Sequence, residues 1–549
     1  MPDDETHSIR ARPGETDNFD ALIIGAGFAG LYQLYCLRDR LGLSVQLLEA
    51  ADGVGGTWYW NRYPGARCDS ESHCYSYSYS FSKELEREWE WSERYPRQPE
   101  ILRYLNHVAD RFDLHRNIRF KARVTGAEYD AAANLWRVTT ETSETMSARF
   151  LITAVGCLST ANVAEIPGLE TFEGKWYHTG QWPHQGVDFS GRRVGVIGTG
   201  STAIQAIPVI AEEAAHLTVF QRTPNYSVPA RNGPLTPKFQ RYLKENYAEI
   251  RQKMRESVNG FDFSIADRSA LGVSDEERQA LYEEAWERGG LRFRATFKDI
   301  LLDKTANDTA ADFIRAKIRS IVKDPATAAK LSDIDHPYAA KRPPIDTNYF
   351  ETYNRDNVSL IDVRAVPIER VTPRGLRTRD GEYALDMIVF ATGFDAMTGP
   401  LLRMNITGRN GYRLKDAWST GPRTYLGLQV PGFPNLFTIT GPGSPSVLCN
   451  MPVAIEQHAD FITDCIAHMH AHRLFCVEAT PDATEKWATQ VNEAASVTLL
   501  PQAKHSWYLG ANIPGKPRVF MPYAGGMARY RAICAGVALS GYEGFALSS

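Results

Sequence analysis

Ala21-Leu22-Ile23-Ile24-Gly25-Ala26-Gly27-Phe28-Ala29-Gly30 runs from four apolar residues into three spaced glycines, and Leu31, Leu34, Tyr35 and Leu37 then recur at helical spacing. The order reads as strand, turn, helix. Gly25 allows the tight turn, Gly27 lets the backbone approach a pyrophosphate, and Gly30 lets the helix pack closely on the strand; the helix N-terminus attracts phosphate charge. Ser44–Leu48 reads as the second strand. Glu49 at its end stands 24 residues after Gly25, where a carboxylate can bind ribose hydroxyls. A lone glycine fingerprint is weak evidence, but strand, turn, helix and acid together specify a dinucleotide-binding unit.

The same grammar returns as Arg193-Val194-Gly195-Val196-Ile197 followed by Gly198-Thr199-Gly200-Ser201-Thr202-Ala203. Its second strand, Leu217–Phe220, leads into Gln221-Arg222-Thr223, and Arg222 lies 24 residues past Gly198. The two units therefore carry opposite charges at one structural position. An acid favours a free 2′-hydroxyl and a guanidinium matches a 2′-phosphate, so the first unit suits FAD and the second NADPH. Two such nucleotides in one chain imply hydride transfer to a flavin. The expected fold class is α/β, with two Rossmann-like dinucleotide-binding domains and a helical insertion in the NADP domain.

With 549 residues the chain is long enough for three to four units at roughly 150 residues each. The expected layout is a disordered tail over 1–18, FAD-binding segments over 19–155 and 389–549, NADP-binding segments over 156–229 and 336–388, and the insertion over 230–335. The charged helical insertion is expected to cap the nucleotide domain and form one wall of a pocket, or else only to pad the surface. Met387–Phe390, before Ala391-Thr392-Gly393, reads as the return crossing into the FAD domain. Tyr75–Ser80 alternates like a half-buried strand.

A net charge of −4 on mixed-sign surfaces gives no reason to expect nucleic acid, and no apolar run reaches the length that spans a bilayer. A small-molecule partner is expected. The eight cysteines form no Cys-x-x-Cys pair and no metal cluster, and the N-terminus lacks the apolar core of a secretory signal. These features lead us to expect a soluble cytoplasmic protein with reduced thiols, a monomer or weak homo-oligomer. His468 and His472 would share a helix face, but without a carboxylate or third ligand nearby they read as a solvated helix end, and no metal is expected.

Phe172-Glu173-Gly174-Lys175-Trp176-Tyr177-His178-Thr179-Gly180-Gln181-Trp182-Pro183 resembles, without a gap, the F-x-G-x-x-x-H-T-x-x-W-P signature of type I Baeyer-Villiger monooxygenases. The likeness continues through Gly55–Asp69, Lys341-Arg342, Ala391–Asp395, Gly441–Ser446 and Trp507–Asn512, and covers the chain from about residue 20 to its end. The Gly441–Met451 segment is most similar to the phenylacetone and steroid monooxygenase branch.

The resemblance implies that Gly25, Ala26, Gly27 and Gly30 hold the FAD pyrophosphate and Glu49 its ribose. Thr57, Trp58, Asp69 and Tyr75 lie near the isoalloxazine. Gly56, Tyr59, Trp60, Arg67, Cys68, Val124 and Met451 complete the FAD set. NADPH falls to Gly198, Thr199, Gly200, Ser201 and Thr202, with Arg222, Thr223 and Lys341 at the 2′-phosphate and Trp507 over the nicotinamide side; Arg342 is counted among the cofactor-binding residues. His178 resembles a linker residue that couples domain movement to the active site, more than a general base. Where some relatives carry a glutamine after the Gly156 position, this chain has Cys157.

The implied reaction uses NADPH and O2 to convert cyclic, aryl-aliphatic or steroidal ketones to esters or lactones through a C4a-peroxyflavin and a tetrahedral Criegee adduct. A permanent cation suits both anionic oxygens, which makes Arg342 the catalytic group and Asp69 the acid that orients it. The bland alternative is that these residues form a surface ion pair. An N- or S-oxygenating flavin monooxygenase shares the plan, but Thr179 and Trp182-Pro183 depart from that group's signature. A disulfide reductase would need a redox cysteine pair. A non-catalytic NADPH- and FAD-binding flavoprotein would have no use for the Arg342–Asp69 pair. Substrate choice is expected to rest on Cys157, Leu158, Val447 and Leu448.

Overall fold

The strand Asp17–Ile24 pairs in parallel with Val45–Leu48 on one side and with Thr145–Thr153 on the other. It lies inside an eight-stranded sheet whose order is 405–407, 124–130, 135–140, 145–153, 17–24, 45–48, 118–119, with 436–438 also pairing with 145–153. The computed structural model describes residues 17–78 and 82–549. Ala21–Ile24 are buried, which is why this strand reads as an unbroken apolar run and not as an alternation. The helix Phe28–Tyr35 packs beside Met451–His472, where Tyr32 Oη donates to Asp460 at 2.8 Å and Gln33 Nε2 to Thr463 Oγ1 at 3.1 Å.

The second sheet has five parallel strands in the order 358–362, 216–221, 193–197, 387–390, 175–178. Here one expectation is corrected. Met387–Phe390 is an interior strand of this sheet, paired with Val194–Ile197 and Lys175–His178, so a boundary at residue 388 would cut it in two. All four residues are buried, as an interior parallel strand requires. The crossing follows it. Asn162 N donates to Gly393 O and Asp395 N to Thr160 O, each at 2.9 Å, so the two connections between the sheets run side by side.

The insertion holds the helices Pro237–Glu256, Asp275–Arg288, Lys304–Ile321 and Pro325–Ser332. Each begins at a Ser, Thr or Asp cap (Thr236, Ser274, Asp303, Asp324) whose side-chain oxygen accepts a first-turn N–H. Leu243, Tyr247, Ile250 and Met254 join the core of the first sheet, whereas Tyr282, Trp286, Phe313 and Ile314 join that of the second. The insertion thus bridges the two cores, and surface padding is not its arrangement.

Two further expectations change. Asn18 belongs to the first strand, facing Ser147, while the rest of the expected tail, apart from Asp17 in the same strand, lies outside the described residues. Ser72–Cys74 is a 3-10 turn and residues 75–78 form no strand; Tyr79 and Ser80 lie outside the described residues. Side chains satisfy this backbone instead, with Tyr77 N donating to Tyr104 Oη at 3.0 Å and Ser78 N to Glu456 Oε1 at 2.5 Å.

Candidate functional site: two nucleotide cradles and a buried arginine–aspartate pair

At the first glycine turn the fit is steric. A Cβ on Gly25, where φ is +104°, would lie 2.7 Å from Ala154 O, and one on Gly30 would lie 1.8 Å from Gly25 O. Gly27 precedes the helix Phe28–Tyr35 without a side-chain cap, its first turn carries no acid, and the backbone of Gly56 faces it. Unspent N–H groups between two glycine backbones suit a pyrophosphate. Glu49 is buried. Its Oε2 accepts from Ala26 N at 2.6 Å and its Oε1 from Ala51 N at 2.8 Å, so it fixes the turn, and its second lone pairs remain for a ribose. Burial pushes its pKa up against those bonds.

The second turn repeats the arrangement. A Cβ on Gly198, φ +108°, would lie 2.5 Å from Ala391 O, whereas one on Gly200 would meet nothing within 4 Å, which leaves the N-terminus of the helix Ser201–Glu213 open. Thr199 Oγ1 donates to Thr223 O at 2.9 Å and ties the turn to the segment carrying Arg222. Lys341 lies near enough to Arg222 to feel its charge; burial lowers the lysine's pKa first, with Arg222 adding to that and Asp335 opposing. His505 feels Arg222, Lys341 and Arg518, and burial and these cations lower its pKa. A phosphate fits this cationic corner, and the sequence reading missed His505 and Arg518.

Between the cradles, Arg342 Nε donates to Asp69 Oδ2 at 3.4 Å. The Asp69 side chain is 8% exposed and that of Arg342 31%, so the pair is no surface ion pair. Burial raises the Asp69 pKa, with Arg342 and Gln205 pulling the other way. For Arg342, burial opposes the charge, but the nearby Asp69 carboxylate, with Tyr508, Cys68 and Tyr75, outweighs it and holds the pKa above its ordinary value. Gln205, on the helix Ser201–Glu213, donates from Nε2 to Asp69 Oδ1 and to Arg67 O, both at 3.1 Å, and its Oε1 accepts from Tyr63 Oη at 2.9 Å. Gln205 too was missed.

The remaining expected residues group as follows. Trp58 Nε1 donates to Tyr75 Oη at 3.3 Å, and the Trp58 carbonyl accepts from Gln98 Nε2. Thr57–Trp60 form one short helix after Gly56, and Arg67 and Cys68 lead into Asp69. Val124 packs near the end of the first sheet with Leu48. Met451, Trp507, Leu158 and Cys157 share an apolar cluster with Val447 and Tyr508. His178 lies elsewhere. It is buried beside the two connections, its Nδ1 accepts from Gly180 N at 3.0 Å, and its ring meets Phe394 edge-on. Burial lowers its pKa, so it is neutral there.

Beside Arg342 opens a narrow cavity of about 50 Å³. Of the four expected residues Val447 and Leu448 line it and Cys157 and Leu158 do not; Phe261, Phe263, Leu291 and Arg294 of the insertion form another wall. Among the described residues, the cluster suited to a metal is His73, Cys74 and Asp262, not the histidines at 468 and 472. His73 Nε2 lies 3.2 Å from Asp262 Oδ2, Arg292 donates to Asp262 at 3.0 Å, and Arg94 donates to Glu71 at 2.8 Å. Cations already occupy these carboxylates, so the cluster reads as an ion-pair network. No helix among the described residues is long and apolar enough to cross a membrane.

Residues 22–265 match the family model described as pyridine nucleotide-disulphide oxidoreductase. All eight cysteines are free and buried. The chain is 46% identical over 528 residues to a Baeyer-Villiger monooxygenase of Pseudooceanicola batsensis, covering 96% of this chain and 95% of that protein. It is 45% identical over 535 residues to the phenazine N-monooxygenase PhzNO1 of Lysobacter antibioticus, covering 97% of each. Among solved structures, an oxidized steroid monooxygenase bound to NADP superposes with a TM-score of 0.92 at 53% identity, covering 97% of this chain and 99% of the other. With two nucleotide cradles, the gapless signature and this similarity over nearly its whole length, the chain belongs to the type I Baeyer-Villiger monooxygenases, the FAD- and NADPH-dependent enzymes that convert ketones to esters or lactones.

Proposed function

We propose that Arg342 is the catalytic group of this monooxygenase and Asp69 its positioning partner, acting on bulky cyclic, aryl-aliphatic or steroidal ketones in the cavity lined by Val447 and Leu448. The observation that carries this reading is the Arg342–Asp69 contact, 3.4 Å long, at the wall of that cavity. When bound, FAD supplies O2 activation at the expense of NADPH. The chain's own residues do the rest. Gly25, Gly27, Gly30 and Glu49 fix the flavin nucleotide; Arg222 and Lys341 hold the 2′-phosphate. Arg342, permanently charged, stabilises negative charge on oxygen as the ketone carbonyl is attacked, and the apolar walls exclude water. Asp69 keeps that guanidinium in place and balances its charge. Both cradles and the cavity lie within one chain, which supports a monomer or weak homo-oligomer, and the eight unpaired thiols support a reducing, cytoplasmic setting.

Arg342→Ala tests the assignment: the flavin should still be bleached by NADPH while ester formation falls on the order of a hundred- to a thousand-fold. Normal ester yield would overturn it. The likeness to a phenazine N-monooxygenase supports a second reading, in which an aromatic nitrogen is oxygenated in the same cavity. Product analysis with a ketone panel beside N-heteroaromatics separates the two readings.

A further inference from the structure

Arg292 and Arg294 stand two residues apart on one 3-10 segment, Gly290–Ala295, yet their surroundings differ. Arg292 donates to Glu71 at 3.3 Å and to Asp262 at 3.0 Å, and its guanidinium lies over the Phe263 ring at 4.5 Å. Arg294 makes no hydrogen bond or ion pair to any described residue and lines the cavity together with Arg342. Its nearest titratable neighbours are the phenols of Tyr508 and Tyr338, which burial keeps protonated and neutral, and burial draws the Arg294 pKa down. Tyr508 in turn feels both Arg342 and Arg294, so the two guanidiniums border one space. Apart from Asn259 and Tyr508 the other walls are apolar, Phe261, Phe263, Ile265, Leu291, Val447 and Leu448 among them.

An unpaired cation in an apolar recess is destabilising, and a fold has no use for it there unless a ligand supplies the counter-charge. Arg342 already serves the reacting oxygens and is paired by Asp69. Arg222 and Lys341 already serve the 2′-phosphate. Arg294 is left over on the substrate side. We infer that Arg294 anchors a carboxylate, or a comparably strong acceptor, carried by the substrate away from its ketone, so that the cavity selects keto acids over neutral ketones of the same length. The inference rests on the reading of this cavity as the ketone site. A guanidinium can take both carboxylate oxygens at once, which fixes the far end of the chain and so sets which carbonyl reaches Arg342.

The test uses the holoenzyme with linear methyl-ketone acids (oxohexanoate, oxoheptanoate and oxooctanoate), each beside its methyl ester. For at least one chain length the wild type should show a higher kcat/KM for the acid than for the ester. Arg294→Met should lower the acid-to-ester ratio by about ten- to a hundred-fold, the span that loss of one charge-assisted contact gives, and Arg294→Lys should retain part of it. A wild type that favours the ester at every length, or a ratio that Arg294→Met leaves unmoved, overturns the inference. Titrating acid and ester against the flavin absorbance spectrum gives the same ratio without turnover. If neither compound is oxygenated although the acid binds better through Arg294, the reading of this cavity as the ketone site fails, and only carboxylate binding by Arg294 remains.

Discussion

Gln205 Nε2 lies 3.1 Å from Asp69 Oδ1, so a side chain one turn behind the NADP glycine loop holds the carboxylate that holds Arg342. The position of the second nucleotide loop is thereby tied to the orientation of the reacting cation. Gln205→Leu should leave the turn Gly198–Thr202 intact, weaken the Asp69–Arg342 alignment, and lower kcat about ten- to a hundred-fold, as loss of an outer orienting contact does. Peroxide release per NADPH oxidised should rise at the same time. Gln205→Asn is too short to reach Asp69 and should behave like the leucine variant; a fall in stability with unchanged coupling of NADPH to product would refute the positioning role.

Asp346, four residues after Arg342, is buried and has no cation partner among the described residues. Ser227 Oγ donates to its Oδ2 at 2.6 Å and Tyr349 N to its Oδ1 at 3.2 Å. Burial raises its pKa from 3.8 to about 7. Because the folded state holds this proton more tightly than the unfolded chain, stability is highest below the unfolded value and is lost as pH rises towards about 7. Asp346→Asn imitates the protonated acid. Thermal melts at pH values either side of that window should show the variant gaining on the wild type at the alkaline one; an equal difference at both would show that Asp346 does not titrate there.

Much of this architecture is legible in the sequence because its signals are local. The two glycine turns, the strands that feed them and the opposite charges of Glu49 and Arg222 each follow from a few adjacent residues. Met387–Phe390 was legible as a strand but not as to which sheet receives it, since an apolar run of four carries no address. Tyr75–Ser80 misled because the backbone N–H groups of Tyr77 and Ser78 donate to the side chains of Tyr104 and Glu456, residues distant in the chain, and not to a neighbouring strand. Gln205, Arg294 and His505 gave no signal at all. Each acquires its meaning only when the insertion and both sheets bring it against Asp69, the cavity or the phosphate corner.

Arg222 and Lys341 sit close enough to influence each other, and His505 adds to the same corner. Arg222→Ala should raise KM for NADPH about ten- to a hundred-fold while KM for NADH changes little, because the 2′-phosphate loses a charged contact that NADH never makes. The Lys341→Ala effect should not simply add to it, since the two cations share one anion. Steady-state kinetics with both coenzymes measure this, and parallel rises for NADPH and NADH would remove these residues from the 2′-phosphate site.

Two glycines at the nucleotide turns answer different demands, and alanine separates them. A Cβ at Gly30 would lie 1.8 Å from Gly25 O and 3.2 Å from a Leu47 methyl, so Gly30→Ala must push the helix Phe28–Tyr35 off its strand. Overpacking of that kind is destabilising by about 1 to 3 kcal/mol or more, and the purified variant should be pale for lack of FAD. A Cβ at Gly200 meets nothing within 4 Å, and its φ of −82° is open to any residue. Gly200→Ala should therefore keep the wild-type melting temperature and flavin content while KM for NADPH rises, because the added methyl stands where the pyrophosphate approaches the helix N-terminus. A Gly200→Ala protein with unaltered affinity for NADPH would mean that the coenzyme phosphates lie elsewhere.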